Sequence, residues 1–126
     1  MLAANVILLF TGSAIAGPDK TGQAIAFAHV NANSTIASFG GKGTTSVTVS
    51  GFTGLYVVTF TGNYPATITP DKLIINSTAK SFDYGVTNAY ISSANKNHIV
   101  VRVFVWRSYD ATALSNDVFV SVFLGR

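Results

Sequence analysis

Two runs near the end of the chain, Asn97–Arg107 (NHIVVRVFVWR) and Asp117–Leu124 (DVFVSVFL), constrain the fold more than any other feature. Both are dense in Val, Phe and Ile, residues that fit a pleated surface. Side chains alternate across a strand. Ile99, Val101, Val103 and Val105 therefore share one face of the first run, and Val100, Arg102, Phe104 and Trp106 share the other. In the second run Val118, Val120, Val122 and Leu124 oppose Phe119, Ser121 and Phe123. Neither run offers a clean wet face, whereas a sheet with one side in water alternates apolar and polar residues. The pattern predicts partner strands covered by a second sheet on one side and by another surface, such as a second copy of the chain, on the other.

The rest of the composition agrees with strands. Over 126 residues, 48% are hydrophobic and only 10% charged, well below the usual quarter. Glu is absent, and Gly, Ser, Thr and Asn are frequent. Strand and turn formers thus outnumber good helix formers. The length suits one domain with its own core. Sparse charge suits surfaces buried in an oligomer, capsid or fibre. The net charge of +3 comes from dispersed Lys and Arg. No basic cluster interleaved with aromatics is present, so nucleic acid is not an expected partner. Cysteine is absent, which removes disulfides and thiolate metal sites. The sequons at Asn33 and Asn76 match a pattern that chance supplies in so Asn-, Ser- and Thr-rich a chain.

In order, Met1–Ala16 begins with an apolar block, Val6–Phe10, ahead of small residues. No Lys or Arg precedes the block, unlike a secretory leader, and it is too short to span a membrane. A first strand over Asn5–Thr11 is expected, followed by a Gly17–Gly22 link. Further strands are expected over Gln23–Asn31, Thr35–Phe39, Thr44–Ser50, Leu55–Thr61, Ala66–Thr69, Leu73–Asn76 and Tyr84–Ser92. Gly40–Gly43 reads as a hairpin connection and Ser77–Asp83 as a loop. Short strands at regular spacing predict an all-β, antiparallel, jelly-roll-like β-sandwich over residues 23–126, preceded by an apolar N-terminal strand and linker over 1–22.

Gly54-Leu55-Tyr56-Val57-Val58-Thr59-Phe60 and Phe119-Val120-Ser121-Val122-Phe123 resemble the G-x-Y-x-V-x-F strand and closing aromatic strand of C1q-like and related trimeric fibre head domains. The resemblance covers Gln23 to Arg126 and implies a compact jelly roll that trimerises through apolar sheet faces and presents loops for binding. The chain has no collagen-like Gly-X-Y stalk, and its apolar N-terminal block is foreign to that pattern.

Catalytic and metal signatures are weak. His29 and His98 have no His, Asp or Glu at metal-ligand spacing. Ser77–Lys80 and Ser93–Lys96 match S-x-x-K, without the companion motifs that chemistry needs. Asp19, Asp71, Asp83, Asp110 and Asp117 lie at predicted turns, where Asp bonds to its own backbone. Asp110, Asn116 and Asp117 could jointly offer oxygens to Ca²⁺, though turn closure is the stronger explanation. No enzyme activity, cofactor or resident metal is therefore expected.

The expectation is a structural, homo-oligomeric, trimeric domain of an extracellular or virion fibre or capsid surface that contacts a host glycan or protein. The alternative is a filament subunit that donates its N-terminal strand to the next subunit. A carbohydrate-binding module is the third reading. Interface candidates are Val6, Leu8, Phe10, Val101, Val103, Phe104, Phe119 and Phe123; ligand candidates are Tyr64, Trp106, Arg107 and Tyr109.

Overall fold

A computed structural model describes residues 23–80 and 84–125. The expected strand at Asn5–Thr11, with Val6, Leu8 and Phe10, and the Gly17–Gly22 link lie outside these described residues. So do Asp19 and Asp83. Within them the chain forms β1 (Ala24–Val30), β2 (Ile36–Gly40), β3 (Thr44–Phe52), β4 (Leu55–Gly62), β5 (Leu73–Ala79), β6 (Gly85–Ala94), β7 (His98–Arg107) and β8 (Val118–Leu124). All pairings are antiparallel, in two four-stranded sheets of order β2-β1-β8-β5 and β3-β4-β7-β6. The architecture is an all-β sandwich.

The two apolar runs are β7 and β8, and each is an inner strand of its sheet. They are not hydrogen-bonded partners. β7 pairs with β4 and β6, while β8 pairs with β1 and β5, so the two runs belong to opposite sheets. Hydrophobic alternation fixes which face of a strand is buried and says nothing about its neighbour. The alternation itself holds. Ile99, Val101, Val103 and Val105 of β7 are buried, as are Val118, Val120 and Val122 of β8. β4 adds Tyr56, Val58 and Phe60, and β1 adds Ala26, Ala28 and Val30. A register shift between Ala24 and Ala26 accompanies burial of Ile25 beside them.

Two connections differ from the sequence expectation. Residues 41–43 carry the chain from β2 in one sheet to β3 in the other, so they form a crossing and not a hairpin turn. The expected strand at Ala66–Thr69 is replaced by turns, with the Ile68 N–H donating to the Pro65 carbonyl at 3.2 Å. Pro70 then opens a 3-10 turn over Pro70–Lys72, at a position where its missing N–H costs no bond. β5 in turn continues through Ser77, Thr78 and Ala79, which the sequence placed in a loop.

Antiparallel order gives the sandwich two poles. Ala24 pairs with Phe123, so β1 enters where β8 leaves. The opposite pole gathers the β1–β2 loop, the Thr53-Gly54 hairpin tip, the end of β5, the start of β6 and the long segment between β7 and β8. Tyr56 pins two of these together. Its hydroxyl donates to the Asn116 carbonyl at 2.9 Å and lies 3.2 Å from the Ala32 carbonyl. Burial pushes this phenol above its ordinary pKa, against the opposing pull of the Asn116 bond. The hairpin tip docks on the same segment, its Gly54 N–H donating to the Leu114 carbonyl at 3.1 Å. Gly54 has φ 91°, and a Cβ there would stand 2.6 Å from that of Ala113, so only glycine fits.

Two outcomes test this core. Val103→Asp buries an unpaired charge between the sheets and is expected to cost several kcal/mol, on the order of 3–5, abolishing cooperative thermal unfolding. Tyr56→Phe removes the buried hydroxyl's bond to the Asn116 carbonyl and should cost about 1–2 kcal/mol in a urea titration with an unchanged slope.

Candidate functional site

Alternation that buries one face of each sheet turns the other outward, and those outer faces carry aromatics. On the β2-β1-β8-β5 sheet, Phe27 and Phe119 on the two inner strands are 41% and 42% exposed, and Ile74 on the edge strand β5 is 54% exposed. Register places Phe123 beside Ile74, Ser121 beside Phe27 and Asn76, and Phe119 beside His29 and Thr78. No Lys, Arg, Asp or Glu occurs within any of these four strands.

The loop-pole edge of this face holds a hydrogen-bonded histidine–carboxylate pair. His29 Nε2 lies 2.9 Å from Asp117 Oδ2, and the Ala32 N–H donates to Asp117 Oδ1 at 3.0 Å. The His29 ring also packs on Phe119, with centroids 4.4 Å apart. The bond from His29 and then the Ala32 amide hold the Asp117 carboxyl below its ordinary range. Ser38 lies directly across from His29 in the β1–β2 register, yet no hydrogen bond joins them. The pair thus has no activated hydroxyl beside it among the described residues.

A second aromatic group forms at the loop pole. Arg107 Nη1 donates to the Tyr109 hydroxyl at 2.9 Å and lies 3.7 Å from Asp110. Tyr84 meets the Tyr109 ring edge-on at 5.5 Å. Both tyrosines stand out into solvent, 72% and 64% exposed. The backbone beneath is held in the left-handed region at Tyr84 (φ 55°) and Ala111 (φ 59°), conformations that non-glycine residues adopt at a cost of order 1–3 kcal/mol. Ser108 donates to the Tyr84 carbonyl at 2.9 Å, and Ala111 to the Arg107 carbonyl at 2.8 Å, which fixes both. Thr112 donates its N–H to Asp110, and that bond chiefly lowers the Asp110 pKa. These groups form an exposed aromatic cluster tied down by hydrogen bonds. Tyr84 escaped sequence reading because its side chain reaches Tyr109 only through a backbone conformation that no composition signal announces.

The other sequence candidates separate. Val101 and Val103 are fully buried within the core of one molecule, so they join sheet to sheet and cannot form a subunit contact. Phe104, Phe119 and Phe123 do lie on outer faces. Tyr64 is not a free binding side chain, being only 5% exposed. Thr44 donates its hydroxyl to the Ile25 carbonyl at 2.6 Å, so the Tyr64 O–H must donate to Thr44, 2.8 Å away. Its ring forms one wall of a shallow groove with Ile25, Lys42, Pro65 and Leu124 at the terminus pole. Trp106 is half-buried on the outer face opposite Val86. Asp110 and Asp117 are engaged separately, by Arg107 and His29, so they do not converge on one cation. Among the described residues no three His, Cys, Asp or Glu cluster as metal ligands, and no helix is long and apolar enough to cross a membrane.

No family model matches the chain, and no curated protein or solved structure matches it either.

The His29–Asp117 pair has a pH signature. A depressed carboxyl pKa contributes stability that is complete above the unfolded value near 4 and is lost as pH falls through the lower folded value. Asp117→Asn should cost about 1 kcal/mol at pH 6 and progressively less as pH drops below about 4, measured by urea unfolding across that range.

Proposed function

We propose that this chain is a structural, self-associating β-sandwich with no catalytic role, in which the outer face of the β2-β1-β8-β5 sheet is the subunit contact. The observation that carries the reading is the set of exposed Phe27, Phe119 and Ile74, with half-buried Phe123, on an outer face without Lys, Arg, Asp or Glu across three neighbouring strands. Antiparallel sheets tolerate water on a polar side, and here large apolar side chains stand among Ser121, Asn76 and Thr78. A low overall charge of 10% supports the same conclusion, because sparse charge favours association over solubility.

A closed homo-oligomer, a trimer in the form suggested by the C1q-like resemblance, would bury three such strips and turn the Tyr84–Tyr109 loop pole outward. The winding supports a jelly-roll-like description, since the chain passes between the sheets after β2, β4, β5 and β7. In this reading the domain serves on an extracellular or virion surface as a fibre tip or capsid decoration. The filament alternative draws on the sheet edges: among the described residues β2 and β5 each pair on one side only, and an open edge can accept a donated strand.

Light scattering on the purified chain decides between them. A discrete oligomer supports the closed assembly, long polymers support strand donation, and a monomer at all concentrations removes both. Phe119→Asp is expected to keep the fold, because Phe119 is 42% exposed in the single molecule, and to reduce the mass to that of one chain. A folded Phe119→Asp variant of unchanged mass overturns the assignment of this face.

A further inference from the structure

The outer face of the other sheet has a different chemistry. Its rows run Phe52–Leu55–Phe104–Asn88 and Ser50–Val57–Arg102–Tyr90 across β3, β4, β7 and β6. Tyr90 and Phe104, 48% and 38% exposed, set their rings 19° from parallel with centroids 6.3 Å apart. Trp106 follows Phe104 on the same face. Arg102 sits beside these rings, directly opposite Tyr90 on one side and Val57 on the other. No Asp or Glu occurs in any of the four strands, and among the described residues no ion pair or side-chain hydrogen bond engages the Arg102 guanidinium. This half of the sheet is therefore an aromatic platform with one cation at its centre that no described residue neutralises.

We propose that this platform binds an acidic saccharide, with a carboxylate or sulfate of the ligand on Arg102 and the apolar face of a sugar ring against Tyr90 and Phe104. Guanidinium groups recognise such anions by paired hydrogen bonds. Aromatic rings exposed on an open sheet face suit a ring ligand with an apolar face, and the Tyr90 hydroxyl and Asn88 amide supply polar edges. A single cation for three aromatic rings fits a sparsely charged saccharide. Nucleic acid, with a phosphate at every nucleotide, is tracked by many basic groups, which this face lacks. An added peptide strand would use a sheet edge, not a sheet face.

Trp106 is the single tryptophan, so its fluorescence reports on this face directly. The full-length chain is titrated with tetragalacturonate, a heparin tetrasaccharide and a disialyl trisaccharide, with cellotetraose as the neutral control. The expected result is saturable change in Trp106 emission with at least one acidic probe, weakened about tenfold to a hundredfold by Arg102→Gln and partly retained by Arg102→Lys. Cellotetraose should bind at least tenfold more weakly. Unchanged melting temperatures establish that both variants fold. No saturable binding by any acidic probe, equal binding of cellotetraose, or indifference to Arg102→Gln each overturns the proposal. So does loss of oligomeric mass in a folded Tyr90→Ala variant, which would assign the face to a second copy. Repeating the titration on Phe119→Asp keeps the two readings apart, because saccharide binding there does not depend on the opposite sheet.

Discussion

Everything in this molecule depends on the interlocking of two β-branched surfaces. Val58, Val101, Val103 and Val105 from one sheet face Val118, Val120 and Val122 from the other, with Tyr56, Phe60 and Ile99 filling the longer gaps. Fully burying a side chain of this size stabilises by roughly 1.5–3 kcal/mol. Ala26 and Ala28 on β1 let the sheets approach closely beside β8. With few charges and no disulfide, the chain has little besides this layer to hold it together.

That layer consumes one face of each strand and leaves the composition of the other to be explained. The two outer faces are both aromatic, but they are not equivalent. One is uncharged in its strands and spans the middle of its sheet; the other is centred on a lone guanidinium. An apolar face without charge is suited to its own copy, where symmetry brings like against like. A face with a cation at its centre is poorly suited to that, since a self-complementary contact would set Arg102 near its twin. The strands thus give the two sides of one thin sandwich different chemistry.

Much of the fold was legible in the sequence because period-two alternation is strong in β7 and β8, where Val on one face and aromatics on the other leave one consistent reading. Pairing was not legible. β7 and β8 looked like partners because they are similar and close in sequence, yet nothing in a strand's own residues names its neighbour. Tyr64, next to Pro65, suggested an exposed turn, and the relay through Thr44 to the Ile25 carbonyl that buries it joins residues far apart in the chain. Ser77 and Thr78 were read as loop for their polarity, although Ser77 is bonded at 2.7 Å to Thr87 in the opposite sheet, a hydroxyl contact at the rim of the core. Trp106, Arg107 and Tyr109 were picked for residue type alone. The structure joins Arg107 to Tyr109 and adds Tyr84, while Trp106 lies on the outer face of the β3-β4-β7-β6 sheet.

The pairing of Ala24 with Phe123 makes the sandwich mechanically anisotropic. When β1 and β8 are drawn apart by their adjoining ends, tension falls on one hydrogen bond at a time and the central pair peels open like a zip. When β1 is held at its Ala24 end and β8 is pulled from its far end at Val118, every bond between the two strands is strained at once, in shear. A tether on the β1 end, with traction arriving through Tyr109 ahead of β8, would load the pair in that stiff direction. Pulled between its own two ends, the same domain would give way at low force.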